Sequence, residues 1–413
     1  MATRLVSRDG SAPRPPQLVP WSSMCLDFGQ RKLFYRSARK FIGAIMAIFR
    51  GDMFGLYFAN TGLAQRQLQR TEAVPRYTGR PPPAGKIAII MKISVVICTY
   101  NRAASLARTL NSFKEMRGLD NNSWELILVD NNSNDITRII VEKFQQDLAN
   151  IKYVFAEKPG LSQARNCGLK CASGEIISFA DDDVIFDQYW LANLQRAFQE
   201  YQPCCVGGKI LPIWEIPKPR WLVQELYGIL ALLDLGDKPL LLTYPGIFGA
   251  NFAVRTEMFY RYGEFDTNLG RIPGRLFAGE DTDFFSRLLK GGEKILYHPD
   301  VVVHHCISRG RISRQYFRRW KFDVGLSTAV RLGDAGDRTM GGVPYYTIKT
   351  LLLNACLYCW SLLRLSPQRF VHELQIIHDL SLIKQRIRRS SASHRIPSGA
   401  ARGEDRAADP ASR

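Results

Sequence analysis

From Met91 onward the chain alternates short apolar runs with amphipathic stretches of helical period. Residues 93–98, 125–129, 152–155 and 175–179 read as strands, and 105–114, 136–148 and 162–172 as the helices between them. Strands joined through helices are not hairpin partners, so the pattern predicts an α/β fold: a parallel, Rossmann-like sheet with helices on both faces. Such sheets bind ligands outside the carboxyl ends of their strands. Two of those ends are acidic here, Val129-Asp130-Asn131-Asn132-Ser133 and Phe179-Ala180-Asp181-Asp182-Asp183. A third acidic segment, Gly279-Glu280-Asp281-Thr282-Asp283, opens a later helix. Carboxylates gathered at one sheet edge repel each other. A hard divalent cation relieves that repulsion, and a phosphate-bearing substrate is the usual reason to bind one.

Each motif has a plain structural reading beside the functional one. Thr99-Tyr100-Asn101-Arg102 follows the first strand, where free backbone N–H groups can meet a ligand or simply start a helix. Asp130 can accept from a base or a ribose, or close an Asx-turn. Arg165 and Asn166 fall in the first turns of the helix before the Asp triplet; the Arg165 fork suits a phosphate or the triplet itself. Asp181 and Asp183 share a side if the strand continues, which suits one to a ribose and one to a metal. Glu280 and Asp281 are stabilised by a helix N-terminus, and a carboxylate there can also act as a general base toward a hydroxyl. His304-His305, after an apolar run, offers an imidazole as a further metal ligand or as a structural group.

Charge is uneven along the chain. Residues 1–90 carry a net +10, residues 384–413 a net +5, and the body between only +3. Basic ends are either solvated tails or attracted to anionic lipid head groups. No zinc-finger spacing, RNA-recognition motif or helix-turn-helix signature points to nucleic acid. Gly-x-Gly-x-x-Gly and Walker A loops are missing after the first strand, against a dinucleotide oxidoreductase or a P-loop NTPase. The nine cysteines read as buried thiols of a reducing compartment, including the pair in Cys356-Leu357-Tyr358-Cys359. The most apolar stretch, 350–365, is shorter than the ~20 residues that span a bilayer and reads as a buried or interfacial helix.

The organisation expected is an N-terminal extension over 1–90, partly disordered around a helix at 36–50, with the native start at Met91. A nucleotide-binding domain follows over 91–310, then a helical region over 311–387 that is membrane-associated, and a disordered basic tail over 388–413. Residues 213–245, rich in Pro, Trp and Leu, read as an insertion on the acceptor side, with Trp214, Trp221 and Tyr227 as core aromatics or as rings that stack on a sugar or meet lipid.

Five segments in this order resemble the family 2 glycosyltransferases, inverting enzymes of the GT-A fold: Val95-Val96-Ile97-Cys98-Thr99-Tyr100-Asn101-Arg102, Val129-Asp130-Asn131-Asn132-Ser133, Ala164-Arg165-Asn166, Asp181-Asp182-Asp183 and Gly279-Glu280-Asp281. The resemblance spans about 91–310. It implies a metal-dependent hexosyltransferase that moves a sugar from a UDP-, GDP- or dTDP-sugar to a saccharide or lipid-linked hydroxyl in cell-surface polysaccharide or glycolipid synthesis. Thr99, Tyr100, Asn101, Arg102, Asp130, Arg165, Asn166, Asp181 and Asp182 would line the nucleotide-sugar site. Asp181, Asp183 and His305 would hold Mg2+ or Mn2+. Asp281 would be the base, Glu280 would position the acceptor, and Arg309 or Arg311 would face the diphosphate. The expected location is cytoplasmic, peripheral to the inner face of the membrane. The competing readings are a nucleotidyltransferase on a related sheet and a non-enzymatic protein that binds membrane surfaces.

Overall fold

The computed structural model of the protein describes residues 91–393, apart from 119, 121, 122, 334–338 and 341. The extension expected over 1–90, its helix at 36–50 and the tail from 394 lie outside the described residues.

The first half follows the alternation. Strand β1 (Ile93–Thr99) leads to helix α1 (Ala103–Lys114), β2 (Trp124–Asp130) to α2 (Thr137–Asp147), and β3 (Ile151–Phe155) to α3 (Leu161–Cys171). Then come β4 (Ile176–Asp181), a short β5 (Val184–Phe186) and α4 (Trp190–Tyr201). β1, β2, β3 and β4 pair in parallel, and every residue of β2 is buried, as a sheet covered on both faces requires. In α3, Gly168 is the close point: a Cβ there would lie 2.4 Å from Cγ1 of Val96 and 3.0 Å from Cγ2 of Val129, so a larger residue would push the helix off β1 and β2.

The second half turns the sheet mixed. β6 (Cys205–Trp214), β7 (Leu240–Leu242), β8 (Asn251–Arg255) and β9 (Ile295–Ile307) extend it, in the order β3-β2-β1-β4-β8-β6-β9-β5 with β7 beside β9. β8 runs antiparallel to both β4 and β6. The sequence suggests two separate strands at 294–297 and 301–305, with Pro299 between them. They form one strand instead, and the register against β6 shifts between Gly208 and Lys209. A bulge takes up the proline, which cannot donate to a ladder. The amide of Asn251 donates to the carbonyls of Lys209 and Val301 at that point, 3.1 and 2.9 Å away.

Helices α5 (Glu257–Tyr262) and α6 (Glu280–Lys290) pack on this half through an aromatic cluster. Phe179 stacks on Phe252 with centroids 5.1 Å apart, and Phe259 on Phe284 at 4.7 Å. That packing sets the start of α6, hence Glu280 and Asp281, beside the end of β4. Three helices complete the described chain: α7 (Arg314–Arg331), α8 (Tyr345–Leu363) and α9 (Arg369–Ser393), with the two-residue strands β10 (Thr339–Met340) and β11 (Val343–Pro344) between α7 and α8. The last helix thus runs to Ser393, past the point where falling apolar content suggests a tail.

Trp221 is partly buried and packs on the core, meeting Phe317 of α7 and Phe370 of α9 edge-on at 5.2 and 5.3 Å. Cys356 and Cys359 are not packed as the sequence suggests; both are exposed on α8, and all eight cysteines among the described residues are free. No helix among the described residues is long and apolar enough to cross a membrane.

Candidate active site

A cavity of about 880 Å³ opens at the carboxyl ends of β1 and β4. Its walls include Thr99, Tyr100, Arg102, the Asp triplet and, across from them, Glu280 and Asp281. The three acidic residues after β4 are sorted by their partners. Asp182 turns inward and accepts from the Thr99 hydroxyl at 2.8 Å and from Arg102 at 2.6 Å. Burial and the charge of Asp183 push its carboxyl up to about 7 against the pull of Arg102. Asp183 would also be raised by burial, but His305, Arg102 and Arg311 overcome this and hold it well below the usual carboxylate range. Asp181 is the more open of the three.

Asp181, Asp183 and His305 each offer one ligand atom, all within 4.8 Å of one another. Asp183 Oδ1 is buried 3.0 Å from Nε2 of His305, and His305 lowers the Asp183 carboxyl, as an imidazole that donates to it does. Arg311 Nη1 lies 2.9 Å from the same Nε2 and 3.3 Å from Oδ2 of Asp183. Carboxylate oxygens with an imidazole nitrogen suit Mn2+ among hard and borderline cations, so the donor set fits a divalent metal.

Arg165 joins the two acidic sets. It is buried, donates to Glu280 Oε1 at 2.7 Å, and reaches Asp181 at 3.8 Å. Gly249 makes room for it: a Cβ there would lie 2.3 Å from Arg165 Nη2. Glu280 is only 5% exposed, and burial, then the charge of Asp281, raises its carboxyl against the opposing effect of Arg165. The sequence suggests Glu280 free to meet an acceptor; the structure commits one of its oxygens to Arg165. Asp281 remains half-open to the cavity. Its Oδ2 accepts from the Gly249 N–H at 2.9 Å and its Oδ1 from the Thr282 N–H at 2.6 Å.

Three expected nucleotide contacts fall elsewhere. Asn166 spends both ends of its amide on the backbone of Phe265, at 2.9 and 3.1 Å, away from the cavity wall. Asn101, at φ 52°, accepts from the Asn134 N–H at 2.8 Å and so ties the β1 turn to the β2 turn. Asp130 is buried, accepting from the Ser133 N–H at 2.8 Å and the Tyr153 hydroxyl at 2.9 Å, and its neighbour Asn131 reaches the cavity instead. Arg271 and Arg275 reach the cavity wall and were missed from sequence. The signal was there in Arg271-Ile272-Pro273-Gly274-Arg275, two arginines around a Pro-Gly turn just before the acidic helix start. Arg311 joins Asp183 at 3.3 Å, whereas the backbone N–H of Arg309 donates to Glu215. The insertion after β6 also lines the cavity, through Tyr227, Tyr244 and neighbours.

The profile of glycosyl transferase family 2 matches residues 94–263, from β1 to just past α5. The glucosyl-dolichyl phosphate glucuronosyltransferase of Haloferax volcanii is 26% identical over 252 residues, covering 58% of this chain and 77% of that protein. Succinoglycan biosynthesis protein ExoM of Rhizobium meliloti is 27% identical over 238 residues, covering 57% and 73%. A solved mannosyltransferase, PcManGT from Pyrobaculum calidifontis in complex with GDP-Man and Mn2+, shares the fold. Its TM-score is 0.55 at 18% identity, over 83% of this chain and 98% of that one. Residues 94–263 are thus a glycosyl transferase family 2 domain, and with the acidic strand ends gathered on one cavity of a GT-A sheet the chain is a metal-dependent glycosyltransferase that takes its sugar from a nucleoside-diphosphate sugar.

Proposed function

We propose that the enzyme inverts configuration at the transferred sugar, with Asp281 as base, and that its acceptor is a saccharide or lipid-linked hydroxyl of the cell envelope. The observation that carries this reading is that Asp281 lines the same cavity as Asp181 and Asp183 of the ligand cluster. Asp281 takes the proton of the acceptor hydroxyl as its oxygen bonds the anomeric carbon. The bond from that carbon to the diphosphate breaks, and the nucleoside diphosphate leaves from the opposite face. Backbone N–H groups of Gly249 and Thr282 hold the carboxylate in one orientation. Arg102 and Arg311 hold Asp183 from two sides, so its carboxylate is fixed before any ligand arrives. Asp181, Asp183 and His305 would hold the divalent ion, Mn2+ or Mg2+, which supplies neutralising charge to the departing diphosphate. Tyr100, 40% exposed at the cavity rim, is placed to meet a base or ribose.

The test is release of nucleoside diphosphate from UDP-, GDP- and dTDP-sugars with and without Mn2+, with candidate acceptors. One donor should turn over, and Asp281→Asn should cut turnover by about 10²–10⁴ while leaving donor binding nearly intact. Near-wild-type turnover in that variant would remove Asp281 from the role.

A peripheral contact with a lipid surface is part of the proposal, and α8 favours it. Its buried residues are Thr347, Asn354 and Ser361, all polar and seven apart. Its exposed residues are Tyr345, Leu352, Cys356, Cys359, Leu362 and Leu363, none of them charged. A helix facing water shows the opposite pattern. Lys349 on Tyr345 and Arg364 on Trp360, at 4.7 and 4.3 Å from the rings, put a cation near each end of that exposed set, as interfacial helices do.

A further inference from the structure

Helices α7 and α9 touch where they border the cavity. A Cβ on Gly325 would lie 1.9 Å from Ser381 Oγ and 2.4 Å from the His378 carbonyl oxygen, so glycine is what lets the two helices come this close. Thr328, one turn along α7, and His378 both line the cavity. Helix α7 is itself fixed relative to Asp281. Three of its residues, four apart, bond the backbone just ahead of that carboxylate. Arg319 donates to the Gly274 carbonyl at 2.6 Å, Asp323 accepts from the Leu276 N–H at 2.8 Å, and Ser327 donates to the Ala278 carbonyl at 2.9 Å. Thr328 follows Ser327, so its hydroxyl and the His378 ring are held near the start of α6.

The ring is oriented from behind. Asp379 Oδ1 lies 2.9 Å from Nδ1 of His378 and accepts from Gln375 Nε2 at 2.9 Å. Its Oδ2 accepts from the Thr350 hydroxyl of α8, also at 2.9 Å, so the carboxylate is anchored on two helices. Burial lowers the pKa of His378, the hydrogen bond and charge of Asp379 oppose this, and the charges of Lys321 and Arg331 add to it. The ring is therefore neutral at pH 7. A neutral imidazole whose Nδ1 faces a carboxylate oxygen carries its hydrogen there and keeps a bare lone pair on Nε2. The Thr328 hydroxyl lies 3.4 Å from Nε2, long for a hydrogen bond. A nitrogen that accepts and a hydroxyl that can donate, side by side on a cavity wall, match a ligand hydroxyl, which gives its hydrogen to the first and accepts from the second.

We propose that His378 and Thr328 grip one ring hydroxyl of a saccharide acceptor, a hydroxyl other than the one that Asp281 deprotonates. His378 and Thr328 are then specificity residues that touch substrate, and Asp379 is a positioning residue that acts through His378. This deepens the glycosyl-transfer reading above and rests on it.

The test uses the full chain with its matching donor and Mn2+, and four octyl glycosides as probes: the glucoside, galactoside, mannoside and N-acetylglucosaminide. At least one should be glycosylated. For that glycoside, His378→Leu and Thr328→Val should each raise KM about five- to fiftyfold, the loss of one hydrogen bond with its partner left unpaired. The change in kcat should be smaller, and nucleoside-diphosphate binding should be kept. His378→Gln, whose amide oxygen can stand near the place of Nε2, should recover part of the loss. Asp379→Asn, whose amide can donate to Nδ1 and so move the ring hydrogen to Nε2, should raise KM as well. Monodeoxy forms of the same glycoside separate contact from architecture. Removing the gripped hydroxyl should cost the wild type as much as His378→Leu costs the parent glycoside, and should cost His378→Leu nothing further. The same cycle run on Thr328→Val, which keeps the side-chain shape, decides the matter if His378→Leu does not fold. Unchanged KM in Thr328→Val, or losses that add at every ring position, overturns the inference and leaves the donor reading standing. Transfer to none of the four glycosides, with nucleoside diphosphate still bound, overturns it too. No donor bound or turned over by the wild type sinks the glycosyl-transfer reading and this one with it.

Discussion

Arg165 reaches across 115 positions of sequence to Glu280, and its effect on stability follows from that pairing. Arg165→Met would leave Glu280 buried without its counter-charge, a loss of about 3–5 kcal/mol in denaturant unfolding at pH 7. An unchanged midpoint would show that Glu280 is neutral in the wild type. Glu125, at the far end of β2, makes a sharper pH prediction. It accepts from the Ser94 hydroxyl at 2.6 Å and from the Ser173 N–H and hydroxyl at 2.7 Å each, and Lys152 lies 2.5 Å away. Burial opposes its ionisation, but these donors hold its carboxyl down to about 2 from 4.5. A depressed carboxylate stabilises above its unfolded pKa and loses that effect as pH falls through the folded value. Glu125→Gln should therefore cost about 2–3 kcal/mol at pH 7 and show a flatter loss of stability between pH 4.5 and pH 2, checked by unfolding across that range. At this scale the sequence marks the carboxylates well, because an acid directly after an apolar strand has few structural uses. It marks the amides poorly. Asn101 and Asn166 look like ligand contacts by position, yet each meets backbone that arrives from elsewhere, Asn134 in one case and Phe265 in the other.

Elements were legible where periodicity and chain direction suffice. β1 to β4 and the helices between them fall within a residue or two of expectation, because a buried parallel strand has no other way to use its apolar run. β9 was not, since a proline reads as a stop and only pairing with β6 reveals a bulge. Helix α8 was half legible: its apolar length is in the sequence, but which face turns outward depends on α9. The polar stripe of Thr347, Asn354 and Ser361 is visible at period seven, and its meaning comes from Asp379 and His372 across the interface, which meet Thr350 and Asn354. The exposed face yields a prediction at this scale. Leu352→Glu with Leu363→Glu should reduce co-sedimentation with liposomes rich in anionic lipid, since each inserted leucine contributes about 1.5–3 kcal/mol. Their exposures of 61% and 64% mean that the fold should keep its melting temperature. Unchanged sedimentation would mean that something other than α8 meets the membrane, or that nothing does.

At the scale of the whole molecule, the cavity joins two halves that the chain builds separately. The sheet supplies the acidic strand ends, and α7 and α9 supply the wall that faces Asp281. That assembly has a thermodynamic consequence. Asp183 Oδ1 is buried against Nε2 of His305, and Asp181, Asp183 and His305 bring one ligand atom each within 4.8 Å of one another, a donor set that only the folded chain presents. A ligand that binds the native state alone stabilises it by mass action, about 2.7 kcal/mol at one hundred times its dissociation constant. Mn2+ and the matching nucleoside diphosphate together should therefore raise the melting temperature, and each alone should do less. Asp183→Asn keeps the size of the side chain but removes the charge that draws the cation. It should abolish the joint shift while leaving Arg102 with Asp182 as its remaining carboxylate partner. The measurement is thermal unfolding of wild type and variant over a grid of Mn2+ and nucleotide. A joint shift that survives in Asp183→Asn would place the cation elsewhere and leave the Asp183–His305 contact as a structural pair. The full shift seen with nucleotide alone would assign the diphosphate to the arginines of the cavity wall rather than to a metal.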